Sequence, residues 1–373
     1  MFKYLKHSLF HVMGLLTALF LVLGGPYLVI GLAFSIATFV LGDLFLGDDK
    51  SAPKYSYPGI LTLQLWLALP LLVLIVFALM WQVAPEDLFG FGLWIDNQFA
   101  LNVLETRGNA TWYQLVSGTL LTGFYIGMIG TITAHELVHR TRDKISLCIG
   151  RWLLAFSFDS SFSIEHVYGH HRYVSTAIDP ATAPRGRNVY QHIVLSTLKG
   201  NISAWQIEKK RLMKKNTSFW SIRNKLLRGY CMSIVLLYLS YYLGGSAGLL
   251  VFIGAGVWGK TLLEVVNYME HYGLVRDPKT PVEPRHSWNT NKRISSWAMF
   301  NLTRHSHHHA KGILPFHKLK PMSDAPEMVS GYLGTILLTF IPTVWFKVMA
   351  PKLKHWDEHF ATDDELKLIK PNR

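Results

Sequence analysis

The sequence predicts an all-α integral membrane protein, with six transmembrane helices and a cytoplasmic domain rich in histidine. Three observations carry that prediction. Half of the 373 residues are hydrophobic and the mean hydropathy is positive (+0.21) in spite of a formal net charge of +13, a combination rare in soluble domains. The apolar residues are gathered into runs near the roughly 20 residues a helix needs to cross a bilayer, with basic, polar stretches between them. Most of the 17 histidines fall into four short clusters between Ala134 and Ala310.

Leu9 to Gly24 and Tyr27 to Phe45 form the first two spans, and Gly24, Gly25 and Pro26 break them into a tight hairpin. Ile60 to Trp81 is the third and Trp112 to Ala134 the fourth. Tyr230 to Leu243 and Gly248 to Val266 are the fifth and sixth, joined at Gly244 and Gly245. Leu333 to Met349 is apolar but short and interrupted by Pro342, which suits an interfacial segment or one packed on the domain. Lys3, Lys6 and His7 precede the first run as in a signal peptide, but no small-residue cleavage site follows, so the first span reads as uncleaved.

Charge sets the orientation. Lys3 and Lys6 place the N-terminus in the cytoplasm. Glu86, Asp87, Asp96 and Glu105 outweigh Arg107 in the loop before the fourth span, which therefore faces out. The strongly basic stretch from Arg140 to Arg228 belongs inside. Six spans satisfy these constraints and put every histidine cluster on the cytoplasmic side. The chain then reads as a single domain, 1–373, with cytoplasmic segments 135–229 and 267–330 and a polar surface segment from Pro351 onward. Asp43, near the end of the second span, reads as interfacial.

Two cysteines, Cys148 and Cys231, exclude a disulfide scaffold and an iron–sulfur centre, which takes about four. No flavin motif is present either, so electrons for any redox reaction must come from another protein. The basic charge does not indicate nucleic acid, because it lies between apolar spans where a cytoplasmic membrane face collects it. The segment Lys209 to Lys215 suits membrane lipid phosphates, with an acidic electron donor as the alternative.

The first histidine cluster is His135-Glu-Leu-Val-His139. On a helix this spacing stacks two imidazoles on one face, about 6 Å apart along the axis. It also has the form of the zinc-protease motif H-E-x-x-H. The second is His166-Val-Tyr-Gly-His170-His171, where His166 and His170 repeat the i, i+4 spacing and the adjacent pair His170 and His171 can serve two metals lying side by side. The third is His305-Ser-His307-His308-His309. The fourth is His271, within Asn267-Tyr-Met-Glu-His-Tyr-Gly-Leu274. Burying so many imidazoles without partners is costly, whereas binding metal satisfies them. One zinc takes three or four protein ligands, so this set implies at least two ions. Imidazole suits zinc, copper, iron and nickel, and spacing does not choose among them.

These residues resemble the integral membrane alkane monooxygenases, a group within the membrane fatty acid desaturase and hydroxylase superfamily that also holds the xylene monooxygenase hydroxylase subunits. The superfamily's histidine boxes appear as His135-x₃-His139, His166-x₃-His170-His171 and His305-x₂-His308-His309. The alkane-monooxygenase signature N-Y-x-E-H-Y-G-L is complete from Asn267 to Leu274. The resemblance covers about residues 10 to 350. It implies two non-haem Fe ions held by His135, His139, His166, His170, His171, His271, His305, His308 and His309. It further implies O₂ as co-substrate, terminal hydroxylation of medium-chain alkanes at the bacterial inner membrane, and electrons from rubredoxin or a ferredoxin-type donor with its reductase. His307 stands where the family usually has Asp, and Val138 where it usually has Gly.

Metal-bound histidines usually donate their outer N–H to a carboxylate or carbonyl. Glu136, Glu165, Asp179, Glu264 and Glu270 lie near the boxes and suit that role, as do His286 and Asn289. An apolar hydrocarbon substrate would enter from the bilayer into a cavity walled by the second, third, fourth and sixth spans. The rival readings are a fatty acyl desaturase, a xylene-type methyl hydroxylase, a membrane zinc protease and, outside the enzymes, a metal transporter.

Overall fold

A computed structural model describes residues 1–369. Among them the chain is helical, with only isolated β-bridges besides. The main helices are α1 (Leu9–Leu23), α2 (Pro26–Phe45), α3 (Pro58–Trp66), α4 (Ala68–Val83), α5 (Trp112–Tyr125), α6 (Ile132–His139), α7 (Lys144–Ala155), α8 (Val189–Met213), α9 (Lys225–His271), α10 (His305–Ala310), α11 (Tyr332–Thr339) and α12 (Pro342–His359). Five continuous stretches are long and apolar enough to cross a membrane: Phe2–Leu23, Pro26–Phe45, Pro58–Val83, Trp112–His139 and Lys225–His271.

The expected first hairpin turns at Gly24 (φ 67°) and Gly25 (φ 50°), a backbone that a side chain would strain. The expected fifth and sixth spans lie in the single 47-residue stretch α9. Drawn straight, it would reach about 70 Å, more than twice the roughly 30 Å of a hydrocarbon core. It is not straight. Gly245 leaves the helix at φ 61°, ψ −153°, and a Cβ on Gly248 would sit 2.5 Å from the Ser240 carbonyl oxygen. The chain therefore doubles back on itself at Gly245.

The path that carries the first histidine pair is built with care. Thr111 and Gln114 form a capping box at the start of α5, satisfying donors that a helix N-terminus leaves open. Residues Ile126–Thr131 then widen into a π-helical turn before α6 resumes. This segment meets α9 at close range, because a Cβ on Gly123 would lie 2.6 Å from the Ala255 carbonyl and one on Gly259 would lie 2.6 Å from Ile126. Such small-residue contacts let two membrane helices approach backbone to backbone.

Two polar features do more than their sequence implied. Asp43 is a structural hydrogen-bonder and not an exposed side chain: it is 1% exposed, accepts 2.9 Å from the Ser295 amide and also takes the Ser295 hydroxyl, so it pins α2 to the segment after the fourth cluster. The C-terminal segment is not merely a surface tail. Trp356 is fully buried and donates to the Arg285 carbonyl, 2.8 Å, and Glu365 accepts from His286 at 2.7 Å. Composition hid this, since α12 mixes exposed lysines with a buried stripe of Trp345, Met349, Leu353 and Trp356.

Candidate metal centre

Nine imidazoles from four separate stretches of chain come together in two groups. His135, His139, His166, His171 and His308 form the first, and His170, His271, His305 and His309 the second; within each group the ligand atoms lie within 4.8 Å of one another. In the first, His135 Nε2 lies 2.8 Å from His308 Nε2 and 2.8 Å from His166 Nε2. His166 Nε2 is also 3.1 Å from those of His139 and His171, and His308 Nε2 is 3.1 Å from His171 Nε2. In the second, Nε2 separations are 3.3 Å for His170–His309, 3.2 Å for His305–His271 and 2.9 Å for His309–His305.

These contacts are not an ordinary hydrogen-bond network. A neutral imidazole offers one N–H and one lone pair, so His166 Nε2 can satisfy at most one of three neighbouring nitrogens. Donor atoms arranged around one cation at about 2.0–2.1 Å lie roughly 3 Å from each other, which is the spacing seen. Burial, reinforced by neighbouring imidazoles, holds His166, His171, His305, His308 and His309 well below the usual histidine range. They are therefore neutral, the form that binds metal. The donor set fits two metal ions.

Local helix geometry decides which histidine joins which group. On α6 the i, i+4 pair His135 and His139 points into one group, with ring centroids 5.3 Å apart. On α10 His305 and His309 do the same in the other group, and His308 turns to the first. In the second box the adjacent His170 and His171 serve different groups, as expected of such a pair. Residues His166–His170 form a π-helical turn, whose wider i→i+5 period pairs His166 with His171 and sends His170 to the other group. His307 joins neither; its Nδ1 accepts from the Lys320 amide at 3.1 Å.

The carboxylates sort less simply than the sequence implied. Asp179 has the expected role: its Oδ2 lies 2.9 Å from His170 Nδ1 and is fixed by Thr182 Oγ1 at 2.6 Å. Burial acts to raise the Asp179 carboxyl, but the His170 ring and its hydrogen bond outweigh that and hold it below the usual range. Glu270 is closer to the centre than expected. Its Oε2 lies 3.1 Å from His305 Nε2, the atom that faces the group, while Oε1 accepts from Tyr332 at 2.5 Å.

Glu136, Glu165 and Glu264, and the side chains of His286 and Asn289, do not hold an outer ring N–H of the nine. Glu136 binds Arg140 (2.9 Å) and the Phe316 amide (3.1 Å) instead, because the next helical turn offers a guanidinium. Glu165 lies buried with its nearest partner, Ser203, at 3.5 Å, and burial with Asp179 nearby holds its carboxyl up at about 8. Glu264 takes Lys260 at 2.5 Å and the Ser196 hydroxyl, and Lys260 also pairs with Asp159 at 2.7 Å. His286 is held by Glu365. The buried side-chain amide of Asn289 has no hydrogen-bond partner among the described residues. Lys260, Asp159, Ser287 (3.3 Å from His271 Nδ1) and Tyr332 were missed, since nothing in their spacing links them to the boxes.

An apolar cavity of about 50 Å³ ends at His135, His166, His305 and Glu270, between the two groups. Its walls are Phe124, Gly127, Met128, Thr131 and Ile132 from the fourth apolar stretch, Leu262, Leu263 and Val266 from α9, and Phe162, Met299, Leu302 and Ile336. The second and third spans contribute none of these residues. Segments after the spans, carrying Met299, Leu302 and Ile336, stand in the place expected for them.

The family model described as fatty acid desaturase matches residues 110–361. The chain belongs to the fatty acid desaturase family. Within that family it is 33% identical over 347 residues to the xylene/toluene monooxygenase hydroxylase component XylM of Pseudomonas putida, covering 92% of this chain and 88% of that one. It is 36% identical to alkane 1-monooxygenase 1 of Pseudomonas aeruginosa over 65% of each chain. It is 35% identical to alkane 1-monooxygenase of Acinetobacter baylyi over 68% of this chain and 63% of that one. Matches to the two alkane enzymes thus span just under two thirds of their lengths. Family membership and the histidine groups point to iron as the metal, and the apolar helices make the chain a multi-pass membrane protein.

Proposed function

We propose that the chain is a non-haem di-iron monooxygenase that hydroxylates the terminal carbon of alkanes or similar apolar hydrocarbons with O₂. The nine histidines are its ligands, five on one iron and four on the other, with Glu270 beside the second. The observation that carries this reading is the position of two all-imidazole groups at the head of an apolar cavity. The balance is RH + O₂ + two electrons + two protons giving ROH + H₂O. Bound iron supplies the O₂ activation and hydrogen abstraction that an unpolarised C–H bond requires, which no acid, base or nucleophile of the chain provides. The chain's own residues do the rest. Asp179 fixes the His170 ring so that Nε2 presents its lone pair. Phe124, Met128, Leu262 and Leu302 exclude water and accept an unfunctionalised chain.

The electrons come from rubredoxin or a ferredoxin-type donor with its reductase. The protein lies in the bacterial inner membrane and crosses it six times, α9 counting as two crossings through its turn at Gly245. Lys3, Lys6 and the basic 135–229 segment put the N-terminus and metal site in the cytoplasm. A zinc protease is disfavoured, since Glu136, the expected general base of an H-E-x-x-H site, is bound to Arg140 and the Phe316 amide. A transporter is disfavoured because the histidines gather at one pair of points.

The test is iron content with product analysis. Purified protein should hold about two irons per chain and convert alkanes to primary alcohols only when an electron donor is added. A single zinc per chain, or alkenyl products, refutes the assignment.

A further inference from the structure

Where α8 ends and the chain turns to begin α9, cations from both helices and the intervening loop converge. Arg211, Lys215, Arg223, Lys225 and Arg228 line one open basin of about 570 Å³, with Leu212 and Ile222 as its apolar wall. Behind it the buried Arg151 donates to the Lys225 carbonyl. The nearby carboxylate, Glu208, is already engaged by Arg211 through two 2.6 Å contacts and by the Lys225 amide at 2.6 Å. Like charges crowded into a concave site, with one committed acid, create a field that calls for an anion.

The surroundings identify which anion. Met213, Trp220 and Ile222 are 65%, 77% and 83% exposed on this same turn, and Val194, Leu198 and Ile202 are exposed along α8. Lys225 is the first residue of the hairpin that enters the membrane. Exposed tryptophan beside a basic cluster at a helix entry is the composition of headgroup depth. We propose that this basin binds the phosphate headgroup of an anionic phospholipid, with an acyl chain lying against Trp220 and Ile222. The inference rests on the membrane placement of α9 and is independent of the metal chemistry. Lys225 also lies 5.9 Å from the ring centre of Tyr168, so the basin backs onto the π-helical turn that carries His166 and His170.

The experiment uses the full-length chain purified in detergent. Phosphatidylglycerol, phosphatidylcholine or inorganic phosphate is added, and bound lipid is read by native mass spectrometry beside the melting temperature. The expected result is a retained phosphatidylglycerol adduct and a raised Tm, with neither from phosphatidylcholine or phosphate. Lys215→Gln, Arg223→Gln and Arg228→Gln together should weaken the adduct by about a hundredfold, at roughly fivefold per cation, with the lipid-free Tm unchanged. Should the triple variant misfold, Arg228→Gln alone should still lower adduct occupancy. Equal response to phosphatidylcholine, a full effect from inorganic phosphate, or an undiminished adduct in the variants overturns the proposal. So does a raised KM for an acidic electron-donor protein with lipid binding intact, which would make the basin a docking site for that donor.

Discussion

On the di-iron assignment proposed above, replacing Asp179 by Asn should release one iron and spare the other. Asp179 is 4% exposed and sits 2.9 Å from His170 Nδ1, so its charge acts through protein and little water screens it. The carboxylate also accepts from Thr182 Oγ1 and the Ala181 amide at 2.6 and 3.1 Å, so an amide of the same shape fills the space but turns its NH₂ on one of these donors. Loss of such a partner behind a metal-bound histidine typically costs about 10–100-fold in metal affinity, or roughly 1.4–2.7 kcal/mol. His170 belongs with His271, His305 and His309, so the weakening should fall on that group. The assay is dialysis against graded chelator with iron counted per chain. The variant should lose its first iron at about 10–100-fold lower chelator than the native chain, while the second leaves at the native concentration. Thr182→Val, which removes a charge-assisted hydrogen bond to the carboxylate and leaves the Ser175 amide without its acceptor, should shift the same step in the same direction by a smaller factor. Both irons leaving in parallel, or neither step moving, would refute the division of histidines into two sites.

Other consequences are open to measurement. Lys260→Met leaves Asp159 and Glu264 buried without their cation, so the melting curve should report a loss of about 3–5 kcal/mol; the triple change with Asp159→Asn and Glu264→Gln should recover most of it. Glu365 is held at about 2, below its usual 4.5, because hydrogen bonds from His286, the Thr362 amide and Arg285 outweigh the effect of burial. A depressed carboxyl contributes stability above its unfolded pKa and loses it as pH falls through the folded one. Proteolysis after α12 should therefore accelerate from about pH 4.5 towards about 2, and Glu365→Gln should show the fast rate already at pH 7. Leu262→Trp adds bulk to the cavity wall, and gas chromatography of products should show long alkanes lost before short ones; an unchanged profile would place the substrate elsewhere.

The parts of this molecule that obey a fixed period were legible in the sequence. Apolar runs marked the membrane helices because most residues facing lipid or core are apolar, and His135–His139 paired as expected because α6 is regular. In the second box the adjacent His170 and His171 were read as able to serve two metals side by side, and they do join different groups, but which of them pairs with His166 was not legible. Nothing in His166 to His171 announces a π-helical turn, and that turn decides which imidazole serves which group. Glu270 and Glu264 were both read as partners of outer ring nitrogens, yet one lies at the centre and the other answers Lys260. Their roles depend on Tyr332, Asp159 and Ser196, which come from distant parts of the chain. Glu365 was hidden by the polar composition around it, since burial of a lone residue leaves no periodic mark, and the stripe ending at Trp356 was hidden by the lysines set among its members.

The distance along the chain between partners has a consequence for how the protein is made. His135 and His308 are 173 residues apart, yet their ring nitrogens sit 2.8 Å from each other. While the ribosome is still working, the first box emerges and its helix is inserted long before the third box exists. Neither group of imidazoles is whole until the chain has been threaded past His309. Iron delivery thus belongs to the end of biogenesis, and a chain truncated before α10 should reach the bilayer without capturing the metal.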